Sequence, residues 1–278
     1  MTQRAKIHRP VFVVGPHRSG TTLLYGILGR HPDVGYYNRA NRKLRSFPRA
    51  AHFLTRLGVF GDDPMEAQRL WDRFRTGPDD VMDESHATDE VRSWYHRSIG
   101  TVLGLRRASR FVAKYPRLSM RLPWLDALFP DAIFVHVLRD WRAVVHSTVN
   151  RMVKRTNRGG GWFGVRIPGW QEMGGLPPAL RAGRIYRVVT EALEAEGARH
   201  GDRYVRIRYE NLCARPVATI RSLSDRCGWE WHEAFEASIP RTLRSANDKW
   251  RRGLDAETIE EIRSEAPGFF GRFETSGP

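Results

Sequence analysis

One apolar run, and the turn that ends it, constrains this chain more than any other feature. Val11-Phe12-Val13-Val14 is bounded by Pro10 and Gly15. It runs into Gly15-Pro16-His17-Arg18-Ser19-Gly20-Thr21-Thr22 and then into an apolar helical stretch over residues 21–30. A buried strand that turns through glycines into a helix N-terminus aims backbone N–H groups and the positive end of the helix dipole at one point, which makes an anion site. Arg18 lies inside the turn, and its forked guanidinium suits a planar, three-oxygen anion.

The rest of the chain repeats the strand–helix alternation. Residues 111–113, 133–138 and 204–208 read as further strands, the last with a wetter face. Residues 89–105, 118–129, 141–152, 178–196 and 258–266 read as helices. Short apolar runs without polar alternation suit a parallel sheet covered on both faces. The fold class expected is α/β: a P-loop NTPase-like three-layer sandwich with a central parallel sheet. At 278 residues, a single domain over 1–278 fits better than two small ones. Residues 157–178, rich in Gly, Pro and Trp, are too long for an ordinary connection and read as a lid or wall on the acceptor side, or as a packed structural loop.

Composition narrows the function classes. The net charge is +15, which first suggests nucleic acid. The basic residues are mostly Arg, however, and are spread along the whole chain without a basic tail, so a cleft for a polyanionic small molecule accounts for them and no nucleic-acid partner is expected. No apolar run approaches the roughly 20 residues of a membrane span. The polar N-terminus leads straight into the first strand and reads as no signal peptide. Cys213 and Cys227 form no metal-site pattern and read as a reduced pair in a cytoplasmic protein.

A second anion site is spelled out after the strongest strand. Arg139 comes directly after it, where ligands gather in open α/β sheets. Ser147 and Arg151 lie four residues apart and share one helix face. These three side chains suit a phosphate monoester, although a capping Arg139–Asp140 pair beside a solvated helix face fits the same residues.

The spacing Gly15-x-x-x-x-Gly20 matches the nucleotide-binding loop G-x-x-x-x-G-K-[ST], except that Thr21 replaces the lysine. PHRSGTTLL resembles instead the 5′-phosphosulfate loop of sulfotransferases that use 3′-phosphoadenosine 5′-phosphosulfate (PAPS), in the form found in tyrosylprotein and Golgi carbohydrate sulfotransferases and their bacterial relatives. LRDWRAVVHSTVNR resembles the 3′-phosphate signature of that family. The resemblance implies that Pro16, His17, Arg18, Ser19, Gly20, Thr21 and Thr22 hold the 5′ side of PAPS and that Arg139, Ser147 and Arg151 hold its 3′-phosphate. FVAKYP is similar to the strand ending in Lys-x-Pro, which implies that Lys114 stabilises charge on the bridging oxygen. RYENL resembles the element that places a tyrosine, here Tyr209, by the nucleoside. The segment 245–251 resembles the one that closes over the donor, with Lys249 and Trp250 in the donor-binding set, so residues 245–270 form the donor-covering segment together with the C-terminal helix.

The implied reaction is in-line sulfuryl transfer to a hydroxyl or amine, without a metal, and positioning and electrostatics carry it. The acceptor is a small molecule, glycan, lipid or peptide. A departure concerns the general base. Tyrosylprotein sulfotransferases carry a glutamate after His-Pro-Asp-Val, whereas here His31-Pro32-Asp33-Val34 leads to Asn38, which cannot take a proton. Glu84 and His86 are the candidates that replace it, against a reading of both as a polar cap on the next helix. His136, inside an apolar strand, reads as a core histidine. A P-loop kinase or NTPase, and a non-catalytic anion-binding module, are the competing readings.

Overall fold

The computed structural model describes residues 6–44 and 47–274; the extreme N-terminal residues 1–5 lie outside it. Five strands form one parallel sheet: β1 (Val11–Val14), β2 (Val34–Gly35), β3 (Arg110–Lys114), β4 (Ile133–Leu138) and β5 (Tyr204–Arg208), in the spatial order β2-β3-β1-β4-β5. Val11 pairs with Val112 on one side and Ile133 on the other, and Phe134 pairs with Tyr204.

Alternate strand residues feed two separate cores, which explains why the runs are apolar throughout. Phe12, Val14, Phe111, Ala113, Phe134 and Leu138 pack with the helices Asp89–Arg106, Leu122–Leu128, Trp141–Thr156 and Pro178–His200. Val11, Val13, Val112, Ile133, Val135, Val137, Val205 and Ile207 pack with Thr21–Leu28 and Pro216–Cys227 on the other face. Helices cover both faces of the sheet, giving the expected three layers. Arg206 and Arg208 project from β5 into solvent, the wetter face that its alternation announced.

The chain departs from the sequence expectation in places. The helix expected over 118–129 is a 3₁₀ turn, Pro116–Met120, and then the helix Leu122–Leu128. The break falls at Arg121, which is fully buried and donates to the carbonyls of Asp80 (3.0 Å) and Trp71 (2.9 Å) and to the Asp72 carboxylate (2.8 Å). Pro123, with no N–H to give, enters the second helix at its first turn, where that loss costs nothing. Between residues 34 and 71 lie the two-residue β2 and the helices Arg39–Lys43, Pro48–Arg56 and Gln68–Trp71, too short for periodicity to mark. The middle of the segment 157–178 is packed: Val165 and Ile167 are buried, Trp162 and Trp170 meet edge to face at 5.0 Å, and the Trp170 indole donates to Pro78 O (3.0 Å), while residues 157–159 are exposed.

Candidate active site

All five strands point their carboxyl ends the same way, so the segments leaving them meet at one end of the sheet. After β1 comes the glycine turn. Gly15 (φ +144°) and Gly20 (φ +104°) take conformations that side chains resist, and Arg18 takes φ +72°. The Gly15 N–H donates to Ser119 Oγ (2.9 Å), whose hydroxyl returns a bond to Gly15 O (3.2 Å), which pins the turn to the chain after β3. A β-carbon on Gly20 would stand 2.5 Å from Cδ2 of Tyr209, so loop and tyrosine ring fit only without one. Gly20→Ala is therefore expected to cost roughly 1–3 kcal/mol, read as a lowered Tm.

After β3 comes Lys114, almost fully buried. Its Nζ donates to Thr22 Oγ1 (3.0 Å) and forms an ion pair with Glu66. Burial pulls the Lys114 ammonium below its ordinary range, and the Glu66 charge partly offsets this. Burial alone would raise the Glu66 carboxyl. The Lys114 charge and hydrogen bonds from Lys114 and Gln68 outweigh it and hold the carboxyl below the usual range, so Glu66 is a carboxylate at neutral pH. His17 lies beside the pair. Burial first, then the Lys114 charge, push its imidazole down to about 3, so the ring is neutral.

After β4 comes Arg139. It donates to Asn247 Oδ1 (2.8 Å), Arg18 O (2.8 Å) and Ala246 O (2.9 Å), and its guanidinium stacks over the Tyr209 ring at 4.3 Å. Three of its five N–H groups thus hold the C-terminal segment to the glycine turn, and two are left for an anion. In the next helix, Ser147 Oγ accepts from Arg18 Nε (2.9 Å), which ties the two anion motifs together.

These groups border a single cleft of about 930 Å³. His17, Arg18, Gly20, Thr21, Thr22, Lys114, Arg139, Ser147, Arg151, Tyr209 and Lys249 line it. So do Lys154, Arg155 and Arg158, and Phe163 of the 157–178 segment, which packs against the His17 ring at 5.1 Å. The lining holds eight arginines and lysines against one carboxylate, Glu66, a field that admits an anion with more than one charged group. Pro16 and Ser19 belong to the turn, where Pro16 O accepts from Ser19 N (3.3 Å) and the buried Ser19 Oγ has no partner.

Three expected residues stand elsewhere. Glu84 and His86 do not line the cleft: they form a 3₁₀ turn capped by Asp83, with His86 Nδ1 at 2.8 Å from the Asp83 carboxylate. The geometry of that cluster is that of a polar cap. Trp250 lies outside the lining too, between the guanidinium groups of Arg142 (4.3 Å) and Arg251 (4.9 Å). Asn38 is buried as the cap of Arg39–Lys43 and donates to Thr55 Oγ1 (3.1 Å) and the Asp62 carboxylate (2.9 Å). His136 is a core histidine, with Nδ1 at 2.6 Å from the Tyr204 hydroxyl. Glu66, the one acid in the cleft, was not singled out from the sequence. It sits in an irregular stretch, 48 residues from its partner, and no local pattern marks it.

One group of side chains away from the cleft has metal-ligand chemistry: His31, Asp33 and His232 bring ligand atoms within 4.8 Å of one another. Both His31 nitrogens are occupied, Nδ1 by the Asp33 N–H (3.2 Å) and Nε2 by Glu230 O (2.8 Å), so the cluster is closed on itself.

Comparison with known proteins agrees with this arrangement. Residues 10–233 match the model of a sulfotransferase family. Protein-tyrosine sulfotransferase 1 of Danio rerio is 27% identical over 228 residues, covering 81% of this chain and 54% of that protein. Protein-tyrosine sulfotransferase A of Caenorhabditis elegans is 23% identical, covering 92% and 65%. The chain thus spans about half to two thirds of the length of these relatives. Among solved structures, a sulfotransferase from Mycobacterium avium superposes with a TM-score of 0.60 at 18% identity, covering 94% of this chain and 76% of that one. A mouse sulfotransferase complexed with PAP superposes at 0.50 with 12% identity, covering 95% and 86%. At such identities the likeness is one of fold.

Proposed function

The chain belongs to the sulfotransferase family, and on that premise we propose that it moves a sulfuryl group from PAPS to an acceptor hydroxyl or amine and releases adenosine 3′,5′-bisphosphate. The observation that carries the reading is the union of two anion sites in one cleft: the glycine turn with Arg18 and Lys114, and the Arg139–Ser147–Arg151 group joined to it through Arg18. A donor with a charged group at each end of a nucleoside fits this pair, and Tyr209 between them offers a ring for the base.

In the reaction the bond between sulfur and the bridging 5′-phosphate oxygen breaks while a new sulfur–oxygen or sulfur–nitrogen bond forms to the acceptor. Arg18 and the turn amides hold the equatorial oxygens. The Lys114 ammonium stands by to neutralise the bridging oxygen as charge grows there. Glu66 takes the acceptor proton, in place of Glu84 or His86. Its support is its place in the cleft, in hydrogen-bond contact with Lys114 and kept ionised by it. His17, buried and held neutral, packs against Phe163 and is assigned no proton-transfer role.

The described chain is built around one sheet, which supports a single domain, with 157–178 on the acceptor side and 245–270 covering the donor. Among the described residues no helix is long and apolar enough to cross a membrane. Cys213 and Cys227 are both free and buried, which fits a reducing compartment such as the cytoplasm. The hydroxyl or amine acceptor belongs to a small molecule, glycan, lipid or peptide.

Calorimetry tests the reading. Adenosine 3′,5′-bisphosphate should bind without magnesium, and Arg151→Ala should weaken it roughly 10–100-fold, the worth of one charge-assisted contact. The same variant should leave adenosine 5′-phosphosulfate, which lacks the 3′ group, unaffected. Tight magnesium-dependent ATP binding with no bisphosphate binding would reject the proposal.

A further inference from the structure

We propose that residues 39–44 and 47–60 form a docking platform for an anionic lipid bilayer, a surface separate from the donor cleft. Six large apolar side chains are exposed among the described residues, and four of them crowd into this stretch: Phe47 (66% exposed), Phe53 (61%), Leu57 (60%) and Val59 (58%). An apolar concentration of this kind on an otherwise polar surface marks an interaction site.

The arrangement is built. The helix Pro48–Arg56 is capped by Phe47 and closes on Leu57, whose N–H bonds to Phe53 O (3.0 Å). Its inner side is fixed by buried Ala51 and by Thr55 Oγ1, which accepts from the Asn38 side chain (3.1 Å). With that side seated, the 3.6-residue repeat turns positions 47, 50, 53 and 57 outward along one stripe.

Charge identifies the occupant. Over 39–44 and 47–60 the described residues include five arginines and lysines and no Asp or Glu. Arg42, Lys43 and Arg56 are exposed on the same segment. An apolar stripe with a mainly basic margin, in which the neighbouring Asp62 is paired with Arg106, lets rings and Leu enter the acyl boundary while the cations meet anionic headgroups. A second copy of this chain would bring the same positive margin against itself, and the chain's net charge of +15 adds to that repulsion. The platform shares no residue with the cleft lining, so the inference does not depend on the proposed reaction.

Sedimentation of the full chain with vesicles tests it. Vesicles of phosphatidylcholine plus phosphatidylserine should carry down roughly tenfold or more protein than phosphatidylcholine alone, and added salt should weaken the binding. Phe53→Ser with Leu57→Ser should abolish the excess while thermal unfolding stays at the parent Tm, since both side chains are exposed. Lys43→Glu, a milder change, should reduce it. Equal binding to both vesicle types, binding indifferent to the serine pair, or lipid-free dimerisation removed by that pair would each overturn the proposal, the last in favour of a second copy of the chain.

Discussion

Lys114→Met should lower kcat about 10²–10³-fold, the usual loss when one preorganised charge is taken from a transition state, while changing the affinity for adenosine 3′,5′-bisphosphate far less. The expectation rests on position. Lys114 is the last residue of β3, is buried, and reaches Thr22 of the turn. A charge there meets the leaving oxygen only as the bond breaks, so its removal acts on turnover rather than on ground-state binding. The substitution also strands Glu66 without its partner, and an uncompensated charge in a partly buried place destabilises the fold. Steady-state kinetics alone would mix the two effects. Turnover per folded molecule, measured well below the melting temperature of Lys114→Met with the folded fraction followed by circular dichroism, separates them and should remain low. If turnover per folded molecule equals that of the parent, Lys114 is a structural residue and its assignment falls.

Glu66→Gln should be comparably severe, at about 10²–10⁴-fold in kcat, the range for loss of a positioned base. The amide can still accept a hydrogen bond from Lys114, so stability should fall less than in Lys114→Met. The pH profile gives the sharper reading. Glu66 is held below the ordinary carboxylate range by Lys114, so the acid limb of kcat/KM should lie below that range and vanish in the variant. The stability linked to this group has the same sign. It is fully present above the unfolded-state pKa and is lost as pH falls through the lower folded value. An acceptor that ionises on its own, such as an acidic phenol, should suffer least from the substitution. A variant that turns over every acceptor at the parent rate would remove Glu66 from the mechanism. Glu84→Gln and His86→Asn, which touch only the cap before Asp89, serve as controls that should keep full turnover.

Particular residues show what was legible in the sequence and what was not. Three of the five strands could be read because both sheet faces are covered, every residue of β1 and β4 being buried and only His136 interrupting the apolar runs, and β5 could be read because exposed Arg206 and Arg208 alternate with buried residues. The two anion motifs could be read because each is local, a turn and a single helix face. β2 could not, since two residues carry no period, and neither could the break at Arg121, which is set by carbonyls 41 and 50 residues away. Glu84 and His86 drew attention as an acidic–histidine pair, but local capping by Asp83 produces the same letters. Glu66 shows the converse case. Its chemistry depends on a lysine from a distant strand, and only the fold brings the two together.

The bonds of Arg139 also have a consequence in time. Its partners are Arg18 near the start of the chain and Ala246 and Asn247 near the end, separations of 121, 107 and 108 residues. A nascent chain can form β1, its turn and the whole sheet before residue 246 has left the ribosome, yet the cleft has no back wall until then. Contacts this distant in sequence close late, after the entropy of the intervening loop has been spent. Ligand affinity in this protein thus waits on residues 246 and 247, and a growing chain carries the glycine turn long before it can use it.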